Sequence, residues 1–220
     1  MSGNCNIALV NECIKKTPWD LGNKVLYDLC ANYFTHITDE EIIAKVWLIG
    51  RSYAAAIERR KEILEDINDD FYKLTVVNAF MNSEIDGYLK KISLFSLNIE
   101  SIPSILKTHK YLIERVFDIT KLEKRSFSSK YLHFHLPNLF FLYDSRAMSS
   151  LRQFKLKLSN EMENIIEMGS VDKEYGRFFC KCYLLQQNIL QETGTLLSPR
   201  QLDNLLIYIA NAKIKIINHQ

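Results

Sequence analysis

The sequence predicts an all-α fold of about nine or ten helices joined by short loops. Three observations carry that expectation. Apolar residues recur at helical spacing along most of the chain, no apolar/polar alternation of strand type runs longer than four residues, and 220 residues hold only 7 Gly and 4 Pro. So few turn formers argue against a β-sandwich and against a disordered chain.

The elements follow in order. Ile7, Val10 and Ile14 repeat at i, i+3, i+7, and Leu21, Val25 and Leu29 at steps of four. Asp39-Glu40-Glu41 precedes Ile42, Val46, Ile49 and Tyr53, and acids are favoured at a helix N-terminus. Ile67-Asn68-Asp69-Asp70 reads as a loop. Ser101-Ile102-Pro103 opens the next long helix, whose buried stripe is Ile105, Leu112, Val116 and Ile119. Leu136-Pro137-Asn138 breaks a helix. Asp172 caps a helix running to about Gln191, with Gly194 just beyond its end. Ser198-Pro199 opens the last helix, to about Ile214, and the short alternation Lys213–Ile216 reads as its frayed end. No internal repeat and no low-complexity segment interrupts this order.

Charge narrows the function classes. Twenty-eight Lys and Arg against 26 Asp and Glu leave a net +2, too little to bind polyanions by overall field. The distribution is uneven, however. Residues 121–157 hold eight cations (Lys121, Lys124, Arg125, Lys130, Arg146, Arg152, Lys155, Lys157) against Glu123 and Asp144, a local +6, so the remainder carries −4. Such a stretch suits a phosphate backbone, or is simply a solvated helix face. Cys5, Cys13, Cys30, Cys180 and Cys182 are odd in number and scattered, as expected of free thiols in a reducing cytoplasm. Neither a spanning helix nor a secretory leader is expected, and no membrane partner.

Four motifs carry the chemistry. In Lys121-Leu-Glu-Lys-Arg-Ser-Phe-Ser-Ser-Lys130 a helix ends, a polar turn follows, and Ser126 is expected to cap the next helix. Free backbone N–H groups there, beside Lys124 and Arg125, would attract an anion. In Asn138-Leu-Phe-Phe-Leu-Tyr-Asp-Ser-Arg146 an apolar run delivers Asp144 towards the interior, where it either lines a pocket or caps the helix starting near Ser145. The two roles are compatible. Gly50 and Ala54–Ala56 permit close packing, while Arg51 and Tyr53 are polar interruptions of that stretch. His133 and His135 lie two apart on one helix and point different ways, so no metal is expected. No phosphate loop, nucleophile elbow or zinc-protease motif is present.

In this order the motifs resemble the helix-hairpin-helix DNA glycosylase superfamily, the group that includes endonuclease III and 8-oxoguanine glycosylase, in a divergent, 8-oxoguanine-glycosylase-like form. Tyr143-Asp144-Ser145-Arg146-Ala147 stands where the family has its catalytic-Asp run, and Leu48–Tyr53 where it has a duplex-probing patch. The hairpin, glycine-rich in the family, has no glycine in Lys121–Arg125.

The resemblance implies one two-lobed helical domain over 1–220, with the hairpin at about 105–135 and the Asp loop at 136–147. It implies catalysis by Asp144, with Lys124 or Lys130 as the amine if a lyase step exists. DNA contacts are then expected from Arg51, Lys121, Arg125, Ser126, Arg146 and Arg152, and a base pocket from Tyr53, Tyr131, His133 and Phe134. The implied partner is duplex DNA carrying a modified base, met by a cytoplasmic monomer without cofactor. Whether the enzyme repairs its own genome or attacks modified foreign DNA is left open. A helical nucleic-acid-binding protein without catalysis, or a helical protein-interaction module, are the alternatives.

Overall fold

The computed structural model describes residues 7–15, 18–59 and 70–217, with side chains to residue 212. The expected 67–69 part of one loop, and Cys5, lie outside the described residues. Eleven α-helices, and no strand, occur among the described residues. They are α1 (Ile7–Ile14), α2 (Pro18–Asn32), α3 (Asp39–Ser52), α4 (Val77–Met81), α5 (Ile85–Ile92), α6 (Ile102–Thr120), α7 (Arg125–His135), α8 (Ser145–Leu151), α9 (Asn160–Ile166), α10 (Lys173–Thr193) and α11 (Pro199–Ile217). A π-helical stretch, Phe71–Val76, leads into α4, and a 3₁₀ turn, Arg152–Phe154, follows α8. No described helix is long and apolar enough to cross a membrane.

Helix boundaries follow local chemistry. Thr38 Oγ1 accepts the Glu41 N–H at the start of α3, and Asp172 Oδ1 accepts the Tyr175 N–H at 2.8 Å at the start of α10. Ser198 and Gln201 exchange reciprocal bonds around the first turn of α11: Gln201 N–H to Ser198 Oγ at 3.2 Å and Ser198 N–H to Gln201 Oε1 at 2.8 Å. That pair satisfies two N–H groups the helix itself leaves open. Gly194 ends α10 at φ +71°, the left-handed position a Cβ disfavours.

The hairpin between α6 and α7 solves the absence of glycine differently. Lys121 itself takes φ +56°, and its N–H returns to the Phe117 carbonyl at 2.8 Å. That conformation costs about 1 kcal/mol or more in a residue with a Cβ. Thr120 offsets it by knitting the turn, its Oγ1 donating to Val116 C=O at 2.8 Å and accepting from Leu122 N–H at 3.2 Å. The first helical residue beyond is Arg125, with Lys124 at the cap position and no side-chain cap bond. The expected cap, Ser126, instead lies within the first turn.

Helix α7 is the centre of the molecule. It packs against α2, α3 and α6, and every residue from Phe127 to His135 is buried. A helix surrounded on all sides must pair its polar side chains internally. His36, in the loop after α2, takes the Tyr131 hydroxyl on Nε2 at 2.5 Å and gives its Nδ1 proton to Asp86 at 2.6 Å. This chain ties α5 and the α2–α3 loop to α7. Lys45 of α3 is wholly buried and donates to the carbonyls of Tyr33 and Thr35, both at 2.7 Å. Burial draws its pKa down to about 8.

The segment Leu139–Tyr143 runs buried through the interior in no regular structure. Its backbone is satisfied by side chains: Phe140 C=O by His133 Nδ1 at 2.8 Å, Phe141 C=O by Tyr175 at 3.0 Å, Tyr143 C=O by Lys130 at 3.2 Å, and Tyr143 N–H by Ser129 Oγ at 3.0 Å. Buried backbone without such partners would be costly. Residues of α7 and α10 thereby hold the strap that places Asp144 at the head of α8. Helix α8 then packs along α11.

Candidate functional site

Asp144 is half-buried and has extended backbone, φ −152°. Its Oδ1 accepts the Ala147 N–H at 2.8 Å, so it caps α8. Next to it along the fold is Lys130, 3% exposed, whose Nζ donates to Ser126 Oγ at 2.6 Å and to Tyr143 C=O. Burial lowers the Lys130 pKa, opposed by the negative charges of Asp144 and Asp203. The ammonium lies 5.9 Å above the Tyr53 ring, a cation–π contact.

Asp203 of α11 belongs to the same group of side chains. It is 6% exposed, and Arg200 donates to its Oδ2 at 2.7 Å. Burial raises its pKa to about 6; Arg200 works against that rise and the charge of Asp144 adds to it. Tyr53 donates to Asn23 Oδ1 at 2.6 Å, and both Tyr53 and Tyr27 feel the charges of Arg200 and Asp203. Helices α2, α3, α7, α8 and α11 thus contribute Asn23, Tyr53, Lys130, Asp144 and Asp203 to one polar cluster inside an otherwise apolar core. Exposed Arg146, whose charge reaches both Lys130 and Asp203, lies on its solvent side.

Not all of this cluster is paired. Asn23 Nδ2, Arg200 Nε and Asp203 Oδ1 are buried without a hydrogen-bond partner among the described residues. Each such group costs about 1–3 kcal/mol against water.

The raised Asp203 pKa has a consequence for stability. Because the folded pKa lies above the unfolded value of 3.8, this carboxyl stabilises the fold fully below pH 3.8, and that contribution is lost as pH rises through about 6. A shift from 3.8 to about 6 corresponds to roughly 3 kcal/mol. The facing charges are Arg200 on its own helix, Lys130 from α7, and Asp144 and Arg146 from α8. Asp203→Asn removes the titration. Thermal melts from pH 4 to 7.5 should show the variant gaining on the wild type as pH rises. Parallel melting curves would mean that Asp203 pays no burial penalty.

The other expected residues are distributed differently. Lys124 donates to the backbone carbonyls of Arg59 at 2.6 Å and Ala56 at 3.4 Å. It lines a hollow of about 360 Å³ together with Ala54–Ala56, Arg59, Glu123, Arg125, Ser126, Phe127 and Tyr143. That lining stops at Tyr143 and does not include Asp144. Asp144, Lys124 and Arg51 therefore share no hollow: Asp144 sits past Tyr143, Lys124 faces the α3–hairpin hollow, and Arg51 pairs with Glu58.

Several assignments are corrected. Tyr131, His133 and Phe134 are core residues rather than walls of an open pocket, because α7 is covered on every side. His133 is neutral, its pKa pushed down to about 3 by burial; Nδ1 donates to Phe140 C=O, and Nε2 takes the Tyr27 hydroxyl at 2.7 Å. Arg125 is not free to meet phosphate. Its Nε bridges both Asp172 oxygens at 2.8 and 3.0 Å, and its Nη atoms pair with Glu123 and Glu174. Burial opposes its charge, but these three carboxylates hold its pKa above the ordinary value. Lys121 is the left-handed end of α6 and donates to Asp118 C=O at 2.9 Å.

A second surface gathers further cations, although Lys110 pairs with Glu114 and both Lys173 and Arg177 pair with Glu167. Lys110, Arg152, Lys173, Arg177 and Lys181 join Arg125, Met148 and Met168 around a hollow of about 730 Å³, with Asp172 and Glu174 as its acids. Of these cations the sequence reading had singled out only Arg152 and Arg125. The rest stand outside the 121–157 stretch, and only the fold brings α6, α8 and α10 together. Among the described residues no three His, Cys, Asp or Glu side chains converge as metal ligands.

Compared as a whole, the chain matches no protein-family model, no curated protein and no solved structure.

Proposed function

We propose that the chain is a DNA N-glycosylase, acting as a cytoplasmic monomer: it binds duplex DNA, turns a modified base out of the stack and cleaves its N-glycosidic bond. The observation that carries this reading is Lys130. Its Nζ, enclosed to 3% exposure and fixed by Ser126 and the Tyr143 carbonyl, has the charge of the half-buried Asp144 beside it, which brings an amine and a carboxylate together. Burial favours its neutral form, the form whose lone pair attacks carbon.

The chemistry runs as follows. Cleaving the bond to the base builds positive charge on the sugar, which the Asp144 carboxylate stabilises. The Lys130 amine bonds to C1′ and releases a proton, while the base leaves with the electron pair of its bond and is protonated. In the hydrolytic version, a water oriented by Asp144 takes the place of the amine. Lys124, tethered to the α3 loop, has no part in this step. Arg152 and Lys181 at the larger hollow, with Arg146, would grip phosphates, and each neutralised phosphate steepens the salt dependence of binding.

Base release from duplex oligonucleotides carrying single modified bases, read by alkaline strand scission, tests the proposal. Salt-steep binding without release from any duplex would favour a second reading, a DNA-binding protein without catalysis. The observation behind that reading is the Ala147 bond to Asp144, which shows the carboxylate serving as a helix cap. Absence of both binding and release would leave a helical interaction module.

A further inference from the structure

The hollow of about 730 Å³ lined by α6, α8 and α10 has the size of a site for a small organic molecule, not for a single ion. Part of its lining is apolar and lies deep. Leu151, Val171 and Phe178 are 3–4% exposed, and Met148 and Met168 join them. Another part is fixed before any ligand arrives: Arg125 holds Asp172, and Glu174 takes the Tyr143 hydroxyl. Of the other cations around the hollow, Lys110 pairs with Glu114, and Lys173 and Arg177 pair with Glu167. Arg152, in the 3₁₀ turn after α8, and Lys181, on α10, take part in no ion pair among the described residues.

We propose that this hollow binds a free nucleoside monophosphate, with the phosphate on Arg152 and Lys181 and the base against Met148, Met168 and Phe178. The inference goes beyond the glycosylase reading and does not depend on it. Charge sets the class of anion. Two uncompensated cations match the charge of about −2 that a phosphate monoester carries near neutral pH, and a monocarboxylate would leave one of them unmatched. Arginine adds a planar fork for two phosphate oxygens, and lysine a point charge. The apolar lining sets the rest of the ligand. Inorganic phosphate would leave Leu151, Val171 and Phe178 uncovered, whereas a flat ring covers them, and thioether sulfurs make favourable contacts with aromatic rings. Asp172 and Glu174 supply acceptors in the same lining, since each carboxylate has lone pairs beyond those its present partners use. A base with an amino group, such as adenine, meets them. Because Arg152 and Lys181 are also the cations offered to the DNA backbone, nucleotide and duplex would compete here.

The test is NMR of the full chain labelled with ¹³C at the methionine methyls and titrated with AMP. Met148 and Met168 line the hollow, and Met81 and Met162 do not, so the first two signals should shift saturably while the other two hold still. Adenosine, inorganic phosphate and hexyl phosphate should each bind at least ~10-fold more weakly than AMP, since none offers the phosphate, the flat ring and the polar edge together. Arg152→Glu combined with Lys181→Glu should weaken AMP at least ~10-fold, and unmoved Met81 and Met162 signals show that this variant is folded. No shift of Met148 and Met168 at millimolar AMP, binding of any control as tight as AMP, or unchanged AMP affinity in the folded double variant overturns the inference. Base release is read separately, so loss of either result leaves the other standing.

Discussion

Asp144→Asn should remain folded and bound to duplex DNA while losing base release by roughly 10²- to 10³-fold, the range for removing one preorganised electrostatic contact. The substitution separates the two roles of this residue. Asparagine caps a helix about as well as aspartate, so the bond from Ala147 N–H to the side chain survives. Only the negative charge is lost, and with it the stabilisation of positive charge on the sugar. Asp144→Ala supplies the contrast. It loses the cap as well, at a cost of about 1 kcal/mol, and should melt lower than Asp144→Asn. Equal base release by wild type and Asp144→Asn would reduce Asp144 to its structural role.

Breaking of the C1′–ring-oxygen bond, with a proton passing to that oxygen, turns the Lys130 adduct into an imine that borohydride reduces, so borohydride added during turnover should fix a covalent protein–DNA complex and Lys130→Gln should abolish it. Lys124→Gln should still trap. The contrast follows from placement. Lys130 is enclosed, held at Nζ and drawn towards neutrality by burial; Lys124 spends its ammonium on the Arg59 and Ala56 carbonyls. Glutamine keeps an amide donor for the Tyr143 carbonyl, so a folded, DNA-binding variant is expected. The trapping rate of the wild type should rise with pH and level off below the ordinary lysine value of 10.5, since burial lowers the folded pKa. Base release by the wild type without any trapped complex would assign the chemistry to water and remove Lys130 as nucleophile.

How much of the site was readable from the chain depends on how far apart its determinants lie. Asp144 at the head of a helix was legible because an acid before Ser145-Arg146-Ala147 is a local signal, and Asp172 and Ser198 were legible for the same reason. Lys130 appeared as a candidate only as one of two lysines near the expected distance from Asp144. Its choice over Lys124 depends on Ser126 and on a carbonyl 13 residues away. Tyr131, His133 and Phe134 read as an aromatic grip, yet they are enclosed by helices from other parts of the chain. Arg125 read as a phosphate contact until Asp172, 47 residues on, neutralised it. Asn23, Arg200 and Asp203 were missed altogether. Arg200 and Asp203 look like an ordinary i,i+3 surface pair, and the one hint was an acid flanked by Leu202, Leu205 and Leu206.

The sequence alone determined the all-α class, the principal helix starts and stops, and the acid at the head of α8. Those depend on contacts within three or four residues and on the 3.6-residue period, which the chain carries in its own order. Which cations stay free, which aromatics are core and which polar atoms are left unpaired were decided only by tertiary packing. Burial and charge compensation are set by neighbours from distant segments, and no local window contains them.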